Sequence, residues 1–453
     1  MKYLIFTLAV LGVPPAAVAL SLSRRWLWLT PMAIFPTLLL FNDTAINFFS
    51  HELYRGTSRG MEVSLVYLVA LAMLGALTLR RGLLHPLPYV GLAIYFVYFL
   101  LCLPSTLNAA NGLFAFFELW KMAMIYLVGL AIYHYLAFVK GDTRVIYFAL
   151  AFITVLIFLS CIWQHYTGVY QIRTYFAHQN SLAMFMAPLG TLFLSRFINE
   201  RRLSACLLAL LLCAFASATL FRTYSRGAIA CYPIGCAITA LASITLDWKG
   251  WKLVRLSLLA TLALFGVAIM APRIIERFVN APESSGGTRL RFATIAINMI
   301  KDEPIFGVGI NNWGIKVNPP YPYSLPRDAS SGLTEDFKDG IVETIYLLTA
   351  AECGLPALAA LLVLFALHAW FAASAIRRLR HTPQFFWAPG LLGGFVIIYL
   401  QSVLEWVLKQ QVNFIELIIF FAIIGYLKKN ARLLLPPSPV NPSPSEPVAE
   451  TAT

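Results

Sequence analysis

Residues 262–271 read LALFGVAIMA, ten consecutive positions without one polar side chain. Strands of a transmembrane β-barrel alternate apolar and polar positions, so this run excludes a barrel and reads as the middle of a membrane helix. Runs of the same kind recur along all 453 residues, broken by short polar links. Apolar residues make up 59% of the chain and charged residues only 12%, against about a quarter charged in soluble domains. A soluble enzyme, a disordered chain and a fibrous one are thereby excluded. The expected fold is all-α: a polytopic membrane protein with twelve or thirteen transmembrane helices and a large, partly helical external loop.

Spans are expected near 3–21, 26–41, 61–79, 88–105, 114–137, 145–165, 179–195, 205–221, 227–246, 253–271, 343–372, 387–404 and 412–427. Most approach the ~20 residues that cross ~30 Å of hydrocarbon. If the sides alternate, one set of links carries Arg24/Arg25, Arg80/Arg81, Lys140/Arg144, Arg196/Arg201/Arg202, Lys249/Lys252/Arg255, Arg377/Arg378/Arg380 and Lys428/Lys429/Arg432. Basic links mark the cytoplasmic side. Topology therefore accounts for the net charge of +13, and nucleic acid is not needed as a partner. The opposite side holds one long segment, 272–341, with eight Lys/Arg and eight Asp/Glu, a balance that suggests a folded external structure.

The expected organisation is N-terminal membrane helices over 1–271, the external loop over 272–341 and C-terminal membrane helices over 342–430. A Pro/Ser-rich cytoplasmic tail over 431–453, without apolar periodicity, reads as disordered. Met1–Leu20 has a basic start and an apolar core like a signal segment, but Pro14-Pro15 and the lack of a convincing A-x-A site followed by a mature soluble domain favour a membrane helix. The seven cysteines form no CxxC pair, which argues against a disulfide frame or a zinc site. No internal repeat is visible, which weighs against transporters built from duplicated halves.

Ionisable residues near membrane depth are costly and are functional candidates by default. At the external helix ends they are Arg55, Arg59 and Glu62; Glu118 and Lys121; Arg173 and His178; Arg222 and Arg226; Arg289 and Arg291; Glu343 and Glu352; Glu405 and Lys409. The guanidinium fork matches phosphate oxygens, so isolated external arginines can hold a diphosphate. A lipid-diphosphate-linked substrate fits such a face.

The segment GTRLRFATIAINMIKDEPIFGVGINNW (287–313), followed by VETIYLLTAAECGLPAL (342–358), resembles the shared domain of the O-antigen ligases and related polysaccharide polymerases. The matching positions are Arg289, Met299, Ile300, Asp302, Pro304, Phe306, Gly307, Gly309, Asn311, Tyr346, Leu347, Glu352 and Gly354. Upstream, Thr223-Tyr224-Ser225-Arg226-Gly227 resembles the family's "T.SRG" helix start. Phe176–Ser181 (FAHQNS), after Arg173, resembles its "G.F.H.N" segment. Tyr54–Val63 resembles a motif of the exopolysaccharide-type branch.

The resemblance implies a membrane glycosyltransferase of the bacterial inner membrane, with its active site facing the periplasm. Glycan would pass from undecaprenyl diphosphate to an acceptor hydroxyl on a glycan, a lipid A-core or another acceptor, with the lipid bilayer as surroundings. Where the family commonly has "VHN", this chain has Val342-Glu343-Thr344, and none of its seven histidines lies in the large loop. Glu343 then becomes the candidate base, with His178 as the second catalytic candidate. Arg226, Arg289, Arg222 and Arg173 are the candidate diphosphate ligands, aimed at the charge of the departing group.

Each has a plainer reading. Arg222 and Arg226 also suit interfacial anchors, Arg289 a salt bridge within the loop, Arg173 an ordinary loop position and His178 a satisfied interfacial histidine. Glu343 also suits a helix N-terminus. No cofactor is expected, and no metal: a diphosphate leaves without protonation, and Glu335, Asp336 and Asp339 read as solvated loop acids. The tyrosines of Asn318–Pro326 (NPPYPYSLP) read as an extended loop segment. The alternative function is a flippase or exporter of lipid-linked oligosaccharide. It is disfavoured because the charge gathers toward one face instead of running through the midplane.

Overall fold

The computed structural model describes residues 2–50, 54, 56–81, 90–245, 248–279, 283–323 and 340–434. Arg55, Glu335, Asp336, Asp339, the end of the NPPYPYSLP segment and the Pro/Ser-rich tail from 435 lie outside the described residues. The architecture is all-α, 78% helical, with ten helices among the described residues long and apolar enough to cross a membrane.

The chain opens with α1 (Lys2–Leu11) and α2 (Val13–Leu22), which meet at Gly12 ahead of Pro14-Pro15. The expected span 26–41 is broken into α3 (Arg24–Leu29), α4 (Pro31–Leu39) and α5 (Phe41–Thr44). Pro31 has no N–H to extend the preceding helix, and Pro36 cannot donate within α4. A short antiparallel hairpin follows, β1 (Ile46–Ser50) and β2 (Gly60–Val63), with Ile46 opposite Val63 and Asn47 opposite Glu62. Next come α6 (Leu65–Arg81), α7 (Val90–Cys102), α8 (Gly112–Phe138), α9 (Arg144–Tyr166), α10 (Gln179–Asn199), α11 (Leu203–Arg222) and α12 (Arg226–Ile244). The chain continues through α13 (Gly250–Val279), α14 (Glu283–Asp302), α15 (Trp313–Lys316), α16 (Ile345–Arg378), α17 (Trp387–Leu404) and α18 (Gln411–Lys429).

Two helices form the centre of the bundle: 94% of the spanning window of α10, and the same share of α18, is buried inside the protein. For Tyr3–Leu22 the share is 6%, which leaves that segment facing lipid. Lipid tails are as apolar as leucine, so tight packing, not hydrophobicity, draws the helices together. Gly235 of α12 and Gly393 of α17 face one another, and a Cβ at either would meet backbone of the other within 2.7 Å. Gly390 and Gly394 bring α17 equally close to α10.

The layer at one end of the bundle depends on a break in α16. At 34 residues the helix would be about 51 Å long if straight, well beyond the hydrocarbon thickness. Gly354, with φ 82°, interrupts it ahead of Pro356, and the exposed backbone groups are taken up by the 304–309 turn. Val308 N–H donates to Ala351 O (2.9 Å), Gly309 N–H to Glu352 O (3.1 Å), and Leu355 N–H to Pro304 O (2.8 Å). Gly307 and Gly309 both have positive φ, so this is the tight turn the Gly-Val-Gly spacing predicts. Phe292, Ile295, Ala296 and Met299 then seat α14 on a small second core with Trp313, Val342, Leu348 and Ala351. Their i, i+3, i+4, i+7 spacing is the buried stripe of an amphipathic helix.

Candidate functional site

Arg289 lies three and seven residues before Phe292 and Ala296, so it shares the buried face of α14 and points inward, while Arg291 is exposed. Its Nε pairs with Glu343 Oε2, and its Nη2 lies 3.6 Å from Glu405 Oε1. Glu343 does not cap α16: the N-cap is Thr344, which makes no side-chain capping bond, and the carboxylate turns to Arg289. Arg226 opens α12 directly after its N-cap Ser225, and Thr223 Oγ1 accepts the Ser225 N–H (3.2 Å) to hold the turn. The charge of Arg226 reaches both Glu343 and Glu405.

Glu405 ends α17 and is buried, and Asn180 Nδ2 donates to its Oε1 at 2.7 Å. Burial and the neighbouring Glu343 charge push its carboxyl up to about 7, against the opposing pull of Asn180, Arg289 and Arg226. Burial also raises Glu343, opposed by Arg289 and then by Arg226. Asn180 is fixed through its own backbone, since His178 is the N-cap of α10 and its Nδ1 accepts the Asn180 N–H at 3.2 Å. Loss of hydration at the helix end, then the Arg173 charge, lowers His178, so it is neutral near pH 7. With Nδ1 as the acceptor, its proton is on Nε2.

The structure thus brings Arg226, Arg289 and Glu343 to one place, with Glu405 and Asn180, and sets His178 and Arg173 at the edge. Arg222 goes elsewhere: its Nη1 lies 2.7 Å from His165 Nδ1 and 2.8 Å from Nε2, on an exposed face. Glu405 and Asn180 are the participants to which the sequence assigned no role. Glu405 stands there only among the ionisable residues at helix ends, and Asn180 only as part of FAHQNS.

A second group of charges lies deeper. Lys121 pairs with Glu118 (2.5 Å) and Lys409 with Glu352 (3.3 Å), all four nearly inaccessible. Lys121 Nζ also donates to Lys409 O (3.0 Å) and Thr57 O (3.2 Å), and Thr57 Oγ1 donates to Glu118 Oε2 (2.7 Å). Burial works against the Lys409 charge, but Glu352 and Glu118 outweigh it and hold the ammonium well above the usual lysine range. Asn311, buried at φ 54°, completes the clasp. Its Nδ2 donates to Ser58 O and Phe114 O (2.8 Å each), its Oδ1 accepts Ser58 N–H (3.2 Å), and Tyr54 OH donates to its carbonyl. The Gly-Val-Gly-Ile-Asn segment is therefore structural, tying the Tyr54–Gly60 stretch and the start of α8 to the break in α16.

This is a multi-pass, all-α membrane protein whose candidate site residues gather where helices meet at one end of the bundle. Residues 209–362 match the family model described as O-Antigen ligase, and over that segment the chain is similar to this family. The matched segment contains Arg222, Arg226, Arg289, Glu343 and Glu352, and leaves out Arg173, His178, Asn180, Glu405 and Lys409. No curated protein matches the chain.

Proposed function

We propose that the protein transfers glycan from undecaprenyl diphosphate to an acceptor hydroxyl, as a ligase or polymerase, at the periplasmic face of the bacterial inner membrane. The observation that carries this reading is Arg289, with the charge of Arg226 beside it, facing the carboxylates of Glu343 and Glu405. Two half-exposed arginines set against two acids are an anion site whose own carboxylates occupy it when no anion is bound. A donor diphosphate competes for Arg289 through bidentate contacts and frees the acids.

In the transfer step the acceptor oxygen bonds to the anomeric carbon, the bond from that carbon to the diphosphate oxygen breaks, and the electron pair leaves with the diphosphate. Arg289 and Arg226 stabilise the charge that builds there. The acceptor proton passes to a carboxylate. The sequence alone assigns this role to Glu343; we assign it to Glu405, because Asn180 holds its carboxylate in place and a carboxyl near 7 suits proton transfer at neutral pH. His178, through Asn180, positions Glu405 and does not itself exchange the proton.

The test is Arg289→Gln, assayed with purified protein, lipid-diphosphate-linked glycan and acceptor. Loss of one donor to the developing charge lowers turnover by about 10²–10³-fold. Turnover within a few-fold of the parent would remove Arg289 from the leaving-group site.

A further inference from the structure

The opposite end of the bundle holds a concavity that the transfer reaction does not use. Four links converge on it, 140–148, 196–208, 249–252 and 380–386, and enclose about 1090 Å³. Eight lysines and arginines line it against two carboxylates, Asp142 and Glu200. Both acids are already engaged, Asp142 with Arg144 (2.6 Å) and Glu200 with Arg196. The remaining basic side chains include Lys140, Arg201 and Arg202, all exposed at its rim.

The concavity has a built floor. Arg196 is held over the rings of Phe386 (4.5 Å) and Tyr147 (5.5 Å). Lys252 is buried, with its ammonium donating to Asn199 Oδ1 (2.8 Å) and Ser243 O (2.9 Å). An interfacial anchor needs neither a floor nor a volume. One edge is apolar: Phe148 of α9 and Leu208 of α11 line the concavity and are 55% and 39% exposed.

We propose that this basin binds the phosphate head group of an anionic phospholipid, with its acyl chains leaving over Phe148 and Leu208 into the bilayer. The shared chemistry is a phosphate anion, and the apolar edge favours a lipid over a soluble phosphate. Basic pockets between membrane helices on the cytoplasmic side take such head groups, and the basic links put this end on that side.

The full-length protein is placed in phosphatidylcholine nanodiscs with a minor fraction of phosphatidylglycerol bearing a photoreactive acyl chain, and crosslinks are mapped by peptide. Labelling is expected on the peptides that hold Phe148 and Leu208, well above that given by photoreactive phosphatidylcholine. In Arg201→Gln/Arg202→Gln it falls by about fivefold for each charge removed. The control is Arg377→Gln/Arg378→Gln, which removes two exposed charges of the same end that do not line the basin. Labelling of this control stays within twofold of the parent. Equal labelling by the two photolipids, or equal loss in the two double variants, overturns the site. Displacement of the phosphatidylglycerol label by inorganic phosphate at constant ionic strength overturns the lipid assignment in favour of a soluble anion.

Discussion

Arg289 and Glu343 keep about 38% and 37% of their side chains exposed, whereas Lys409 and Glu352 form the same kind of pair with 3% and 1%. The link between α17 and α18 serves both groups, with Glu405 facing the first and Lys409 the second. A half-exposed pair is worth little to folding because water screens it. A buried pair whose partners are tied to backbone is costly to break, because removing one member strands the other in low dielectric. The open pair can exchange its partner for a substrate anion, and the closed one cannot.

The largest expected effect is on the closed group. Lys409→Met leaves Glu352 uncompensated and costs about 3–5 kcal/mol, read as a drop in unfolding temperature and folded yield in detergent. Adding Glu352→Met restores most of that loss, since a buried ion pair exchanged for apolar side chains is often close to neutral. A single Lys409→Met as stable as the parent would show that Glu352 is not left as an uncompensated buried charge.

In the open group the effect moves from stability to rate. Glu405→Gln is expected to slow transfer about 10²-fold or more with unfolding almost unchanged, and Glu343→Gln about tenfold, through loss of Arg289 alignment. The reverse ranking would return the base to Glu343.

The pH profile sharpens the same assignment. A base at about 7 is protonated and idle in acid, so turnover should rise with pH through a limb centred near 7. The Asn180 amide favours ionised Glu405, so Asn180→Ala raises the carboxyl further and moves that limb to higher pH. An unmoved limb would assign it to another group. The smallest effect belongs to Arg222, which faces His165: Arg222→Gln should keep transfer within about twofold, since no leaving-group contact is lost.

Much of this was legible in the chain itself. Apolar runs such as 262–271 demand helices because backbone polar groups in hydrocarbon must pair within their own segment. The basic links orient them, and the family's arginine position singles out Arg289 over Arg291; that Arg289 faces inward on α14 came only with the packing of that helix. The Gly-Val-Gly turn and the functional candidacy of Arg226 and Arg289 were equally readable, because those signals are local.

Tertiary structure alone decided the rest. Hydropathy cannot tell α10, buried on nearly every side, from Tyr3–Leu22, exposed along its length, because a lipid tail and a neighbouring leucine are the same solvent to an apolar side chain. Nor could it sort the external charges into an open site and a closed clasp. Glu343 turned to Arg289 instead of capping α16, and Arg222 turned to His165, because packing sets which partner lies within reach. Glu405 joined the site from a segment 225 residues after Asn180, a contact that exists only once α10 and α17 pack together.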